Sequence, residues 1–258
     1  QPPVSLAQKS VTEVAFTPET LPQEYSFAVI SNRFEPLSEF SREKLPYSTN
    51  HFAQMLKNTV NKSVDFIVVT GDTQQDKSAD HTQVFQKIMN TKPVLYTPGN
   101  FDIAPQKSQT TASSYFFTDS EFFILLPTSQ EGTVDQLDQL FVYNALLKLE
   151  KMPEITTVFI ISHNLNWQDA TNGSPFIAEL ETKLARFTDK QKYIVSSYHD
   201  VGTPEVEVTD EPTFEYATDP ATNIHYLASY TRGKSNDSFI EFVVTQDGAV
   251  KVEFAFLD

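Results

Sequence analysis

The sequence predicts an α/β protein built on parallel strands, and three observations carry that expectation. Short apolar runs of strand length alternate with stretches whose apolar residues recur at helical spacing, the pattern of βαβ units. Successive early strands stop at short polar tips instead of running on into the next element. From residue 205 onward only strand patterns remain, which adds antiparallel strands late in the chain.

Residues 1–23 are polar and Pro-bearing and read as an irregular lead-in, with a single domain expected over residues 24–258. The first buried strand is Tyr25–Ile30, ending at Ser31, Asn32 and Arg33. Phe52, Met55, Leu56, Thr59 and Val60 then share one helical face. Val64–Thr70 is β-branched and almost wholly apolar, as suits a strand covered on both sides, and it stops at Gly71-Asp72. A second helix, about 80–90, turns Val84, Phe85, Ile88 and Met89 inward. Pro93–Thr97 is the next strand and ends at Pro98-Gly99-Asn100-Phe101-Asp102.

Tyr115–Phe117 and Glu121–Leu126 read as a hairpin, followed by an amphipathic helix over 134–149. Thr157–Ile161 is a strand that ends at Ser162-His163-Asn164. Pro175 opens a helix with Phe176, Ile177, Leu180, Leu184 and Phe187 inward; proline suits a first turn, where its missing N–H has no intrahelical partner. Tyr193–Val195 leads into Ser196-Ser197-Tyr198-His199. The late strands are 205–208, 223–230, 239–245 and 249–256, the last two joined by the turn Gln246-Asp247-Gly248.

Composition removes whole classes of function. With 34 acidic and 19 basic side chains and a net charge of −15, the chain lacks the clustered cations that track nucleic acid or dock on an anionic membrane. No apolar run reaches the about 18 residues of a membrane span. Partners are therefore expected among proteins and small molecules. Zero cysteine excludes disulfides, thiolate zinc sites, iron–sulfur clusters and thiol nucleophiles. The missing cysteines and an opening Gln1-Pro2-Pro3 in place of Met favour a processed, extracytoplasmic protein. Any metal site must use His, Asp, Glu, Asn and water, with five histidines in the whole chain.

In open parallel sheets a ligand lies beyond the carboxyl ends of the strands. Here those ends carry Asn32, Asp72, Asn100 with Asp102, His163 and His199. Oxygen and imidazole donors converging from separate strands are how a divalent metal is caged. Taken singly, an Asp after Gly is a turn residue and a strand-end His is a satisfied structural one. The ordered series carries the metal reading.

That series resembles the calcineurin-like metallophosphoesterases, whose motifs D-x-H, G-D, G-N-H-D, a lone H and G-H-x-H each follow a strand. The matching residues are Gly71-Asp72, Gly99-Asn100-Phe101-Asp102, His163 and His199, and the likeness covers about residues 25–256. It implies a four-layer α/β/β/α sandwich with mixed sheets. It also implies two metal ions clamping a phosphate, a metal-bound hydroxide attacking phosphorus, and the His of G-N-H-D protonating the leaving group.

The departures are as informative as the matches. Asn32-Arg33-Phe34 stands where the family has D-x-H, so a carboxylate has become an amide and an imidazole a phenyl. Phe101 replaces the general-acid His, and Ser196 and Ser197 replace the Gly and first His of G-H-x-H. Asp102, which in the family orients the missing His, loses its partner. His51, His81 and His225 sit at no motif position and are expected in packing or surface roles. One metal position would keep only Asp72, His199 and a neutral Asn32. The other keeps Asp72, Asn100 and His163, with Ser197 or water to complete a shell for one Mg²⁺, Mn²⁺ or Zn²⁺. Arg33, Phe34, Phe101 and Asp102 would line the cleft. Two readings follow: a pseudo-phosphoesterase serving as a binding module, or a divergent hydrolase of phosphodiesters or phosphomonoesters working with a single metal. A chance run of strand-end residues on another α/β fold is the third.

Overall fold

A computed structural model describes residues 24–32, 64–71, 92–98, 113–128, 133–163, 165, 175–196, 214–229 and 238–256. Among them the strands are β1 (Tyr25–Asn32), β2 (Phe66–Gly71), β3 (Val94–Pro98), β4 (Ser114–Phe117), β5 (Glu121–Leu126), β6 (Thr157–Ser162) and β7 (Gln191–Ser196). They continue with β8 (Phe214–Asp219), β9 (Ile224–Ser229), β10 (Ser238–Val244) and β11 (Val250–Phe256). The helices are α1 (Gln136–Leu149) and α2 (Pro175–Leu184). The predicted helices around 52–60 and 80–90 and the strand at 205–208 lie outside the described residues.

The strands form two mixed sheets, one of five strands in the order β11-β10-β1-β2-β3 and one of six in the order β4-β5-β6-β7-β9-β8. β1, β2 and β3 run parallel, as do β5, β6, β7 and β9. The late strands are therefore not all antiparallel, since β9 joins β7 in parallel while β8, β10 and β11 pair antiparallel. β8 is a strand that the residue pattern did not announce.

Alternation sorts the strand residues into faces. Phe27, Val29, Phe66 and Val68 of the first sheet meet Phe123, Leu125, Phe159, Ile161, Tyr193 and Val195 of the second in one shared core. That core is largely aromatic. In the second sheet Phe116, Phe123, Phe159, Tyr193 and His225 sit opposite one another in register across five neighbouring strands. Each ring stacks on the next at 4.4–5.1 Å between centroids. Phe242, Phe27 and Phe66 form the matching row on the first sheet. The two rows meet edge to face, as with Phe27 against Phe159 at 5.2 Å and 90°. Such offset and T-shaped contacts suit the ring quadrupole and add about 0.5–1.5 kcal/mol per pair beyond burial.

The outer face of the second sheet is covered by α1 and α2, through Val142, Leu146 and Leu149 and through Phe176, Ile177, Leu180 and Leu184. Asp135 caps α1 by accepting from the Asp138 amide at 2.8 Å, which satisfies one of the free N–H groups of its first turn. The β10–β11 hairpin turns as its Asp-Gly sequence requires, with Gly248 at φ 78°.

The amino ends of the two sheets are tied together. Tyr25 Oη donates to Glu121 Oε2 at 2.8 Å, joining the start of β1 to the start of β5. Glu121 is buried and also accepts from the Thr118 and Ser120 hydroxyls, so its carboxyl oxygens are met by hydrogen bonds. Two buried lysines close the same edge, Lys190 donating to the Ile155 carbonyl and Lys192 to the Phe187 carbonyl at 2.7 Å.

Candidate metal and ligand site

Because β1 and β5 start together, the carboxyl ends of both parallel sets emerge at one edge of the sandwich. Register brings them level. Asn32, Gly71 and Pro98 lie side by side at the ends of β1, β2 and β3, and Leu126, Ser162 and Ser196 at the ends of β5, β6 and β7. Asp72 is the next residue after β2, and His163 the next after β6. Asn100 follows the end of β3 by two residues and His199 follows the end of β7 by three. The topology thus brings the ends of the strands that precede these residues in sequence to a common edge.

Of these tips the structure describes His163, which is 1% exposed. Leu165, two residues on, donates its amide to Ser196 Oγ at 3.0 Å and so fastens the exit of β6 to the end of β7. The backbone of Asn32 closes β1. Arg33, Phe34, Asp72, Asn100, Phe101, Asp102, Ser197 and His199 lie outside the described residues.

The two edges of the sandwich differ in how their polar groups are satisfied. At the carboxyl edge the interlayer core gives way to hydroxyls, since Thr70 follows Phe66 and Val68 on the inward face of β2 and Thr97 follows Leu95 on β3. Thr70 and Thr97 are neighbours in register, at 0% and 1% exposure, and neither Oγ1 has a hydrogen-bond partner among the described residues. An unpartnered buried hydroxyl costs about 1–3 kcal/mol. Among the described residues the amino edge leaves one such group, Thr157 Oγ1, near Glu121, Lys190 and Lys192. These threonines were not among the residues singled out from the sequence. The signal was present, for the last inward position of β2 and of β3 is a hydroxyl residue where the run before it is apolar.

The donor set fits the family's metals only in part. Asp72, His199 and a neutral amide at 32 make a poor set for a first divalent ion, because one carboxylate is gone and Phe34 offers no ligand atom. Asp72, Asn100 and His163 are suitable oxygen and imidazole donors for one ion, and the buried hydroxyl pair shows an edge with unspent polar capacity. Among the described residues no three His, Asp or Glu side chains group together.

His225 takes the packing role expected of it. It stacks on Tyr193 at 4.7 Å, and its Nδ1 lies 2.9 Å from Tyr216 Oη and 3.2 Å from Thr218 Oγ1. Burial lowers its pKa, helped by the positive charge of Lys192. Burial also pushes the Tyr193 phenol up to about 12, with Tyr216 adding to the rise.

No curated protein sequence matches the chain. A solved structure of Vps29 from Chaetomium thermophilum is similar at 12% identity and a TM-score of 0.36, over 90% of this chain and 98% of that one. A likeness that loose does not bear on function. The family model of the calcineurin-like phosphoesterases matches residues 46–212, which is well over half of the sequence. That match, with two mixed sheets and the ordered strand ends, means that the chain belongs to the calcineurin-like phosphoesterase family.

Proposed function

We propose that this protein is a pseudo-phosphoesterase, a family scaffold that has exchanged hydrolysis for binding a protein or small-molecule partner. The single observation that carries the reading is the joint loss at four motif positions, where Asn32, Phe34, Phe101 and Ser197 stand in place of Asp and His. One metal position loses a carboxylate at 32 and an imidazole at 34, which weakens half of a two-ion phosphate clamp. Loss of the general acid at 101 costs a further ~10²–10⁴-fold in rate. At the family's motif positions Phe34 and Phe101 would add apolar surface where a phosphate needs donors.

A second reading has its own support in the retained Asp72, Asn100, His163 and His199 and in the burial of His163 at the strand-end edge. Under it, Asp72, Asn100 and His163 would hold one divalent ion, which would supply Lewis acidity toward a phosphoester. Metal analysis of purified, untagged protein and an aryl phosphodiester assay with added Mn²⁺ separate the two. The expected result is substoichiometric metal and no turnover. Near-stoichiometric metal, with turnover that disappears in Asp72→Asn, overturns the pseudoenzyme reading in favour of the hydrolase.

A further inference from the structure

α1 is apolar on two opposite faces. Val142, Ala145, Leu146 and Leu149 point to the second sheet and are buried. On the far side Leu137, Leu140 and Leu147 are 53%, 55% and 53% exposed, with the exposed Asn144 between them. Steps of three, four and three residues keep these four on one stripe. Single surface leucines are ordinary, but three aligned on one helix are not scattered. A helix that is apolar all round is normally a helix covered all round.

We infer that this stripe is the docking surface for a basic amphipathic helix of a partner protein, one with Leu-type side chains at i, i+3, i+7 and i+10 and Lys or Arg beside them. Size and charge both select that occupant. A helix of 14 residues is about 21 Å long and about 10 Å across, so its one stripe falls well short of the ~800 Å² that each partner gives to a standard globular interface. It matches the footprint of one helix laid along another. A second copy would bring −15 against −15, whereas a basic helix is drawn in by the same field. The stripe faces away from both sheets, so the inference stands whether or not the strand-end edge is catalytic.

The test uses the full chain and a labelled Leu/Lys peptide carrying that spacing, read by fluorescence anisotropy, with a scrambled peptide of equal composition as control. Saturable one-to-one binding is expected, weakened by added salt, absent for the scrambled peptide, and reduced about tenfold or more by Leu140→Gln with Leu147→Gln. The separate substitution Leu137→Gln should weaken it in the same direction, and circular dichroism and melting of both variants should match the parent. Equal binding of the scrambled peptide, or binding indifferent to these substitutions, overturns the inference. So does a dimer of the parent in sedimentation equilibrium that strengthens with salt and dissociates in the variants, which would assign the stripe to a second copy.

Discussion

Tyr25 and Glu121, 96 residues apart, join the first strands of two different sheets through a 2.8 Å hydrogen bond buried at the amino edge. This bond fixes which ends of the two sheets coincide. Replacing Tyr25 by Phe keeps the ring against Phe66 but removes one of three hydroxyl donors from the Glu121 carboxylate. A hydrogen bond to a charged group contributes about 1.5–3 kcal/mol, so Tyr25→Phe should lower stability by that order in urea unfolding, with an unchanged m-value. Burial and the neighbouring Glu121 raise the phenol's pKa far above its ordinary value of about 10. Above pH 10 the unfolded chain ionises Tyr25 while the folded one does not, so its contribution, full below pH 10, declines as pH rises. Tyr25→Phe should flatten that alkaline limb.

His225 gives the opposite limb. Its folded pKa lies below the ordinary value of about 6.5 because burial beside Tyr193 and the charge of Lys192 disfavour the imidazolium. On acidification the unfolded state takes up that proton first. The contribution is therefore full above pH 6.5 and lost as pH falls through and below it. His225→Gln should reduce the slope of stability against pH between about 6.5 and 5, measured by denaturant titrations at several pH values.

The paired hydroxyls of Thr70 and Thr97 make a stability test of the strand-end edge. Both are buried with no hydrogen-bond partner among the described residues, and Val has the same shape without the polar atom. Thr70→Val and Thr97→Val should each raise stability by about 1 kcal/mol in urea unfolding. A loss of stability from either would show that the hydroxyls hold something polar, such as an ordered water, at the edge.

What could be read from the residues, and what could not, follows one physical line. β5 and β6 lie where their apolar runs place them, because a strand covered on both faces needs a continuous apolar run with sharp ends. The polar tips are legible for the same reason, since the chain turns polar where it leaves the sheet. β8, of sequence Phe-Glu-Tyr-Ala-Thr-Asp, gave no such signal. Among the described residues it is an edge strand paired with β9 alone, and its extended form comes from that pairing more than from its own residues. The parallel direction of β9 was equally hidden, because alternation records faces and carries no sense of direction. Thr70 and Thr97 read as ordinary β-formers; that no described residue partners their hydroxyls is a tertiary fact.

The replaced acid at position 101 yields the sharpest functional expectation. Phe101→His restores the imidazole, yet a general acid contributes only when the phosphate is already clamped and a nucleophile already formed. Asn32 and Phe34 leave one metal position short of a carboxylate and an imidazole, so the restored acid would protonate nothing. Phe101→His alone should give no measurable aryl phosphodiester turnover with Mn²⁺. The triple replacement Asn32→Asp, Phe34→His and Phe101→His should raise metal content first, as read by elemental analysis, and turnover only in samples where metal has risen. Activity in the single variant would mean that Asp72, Asn100, His163 and His199 already hold a working centre, and that the acid was the only part missing.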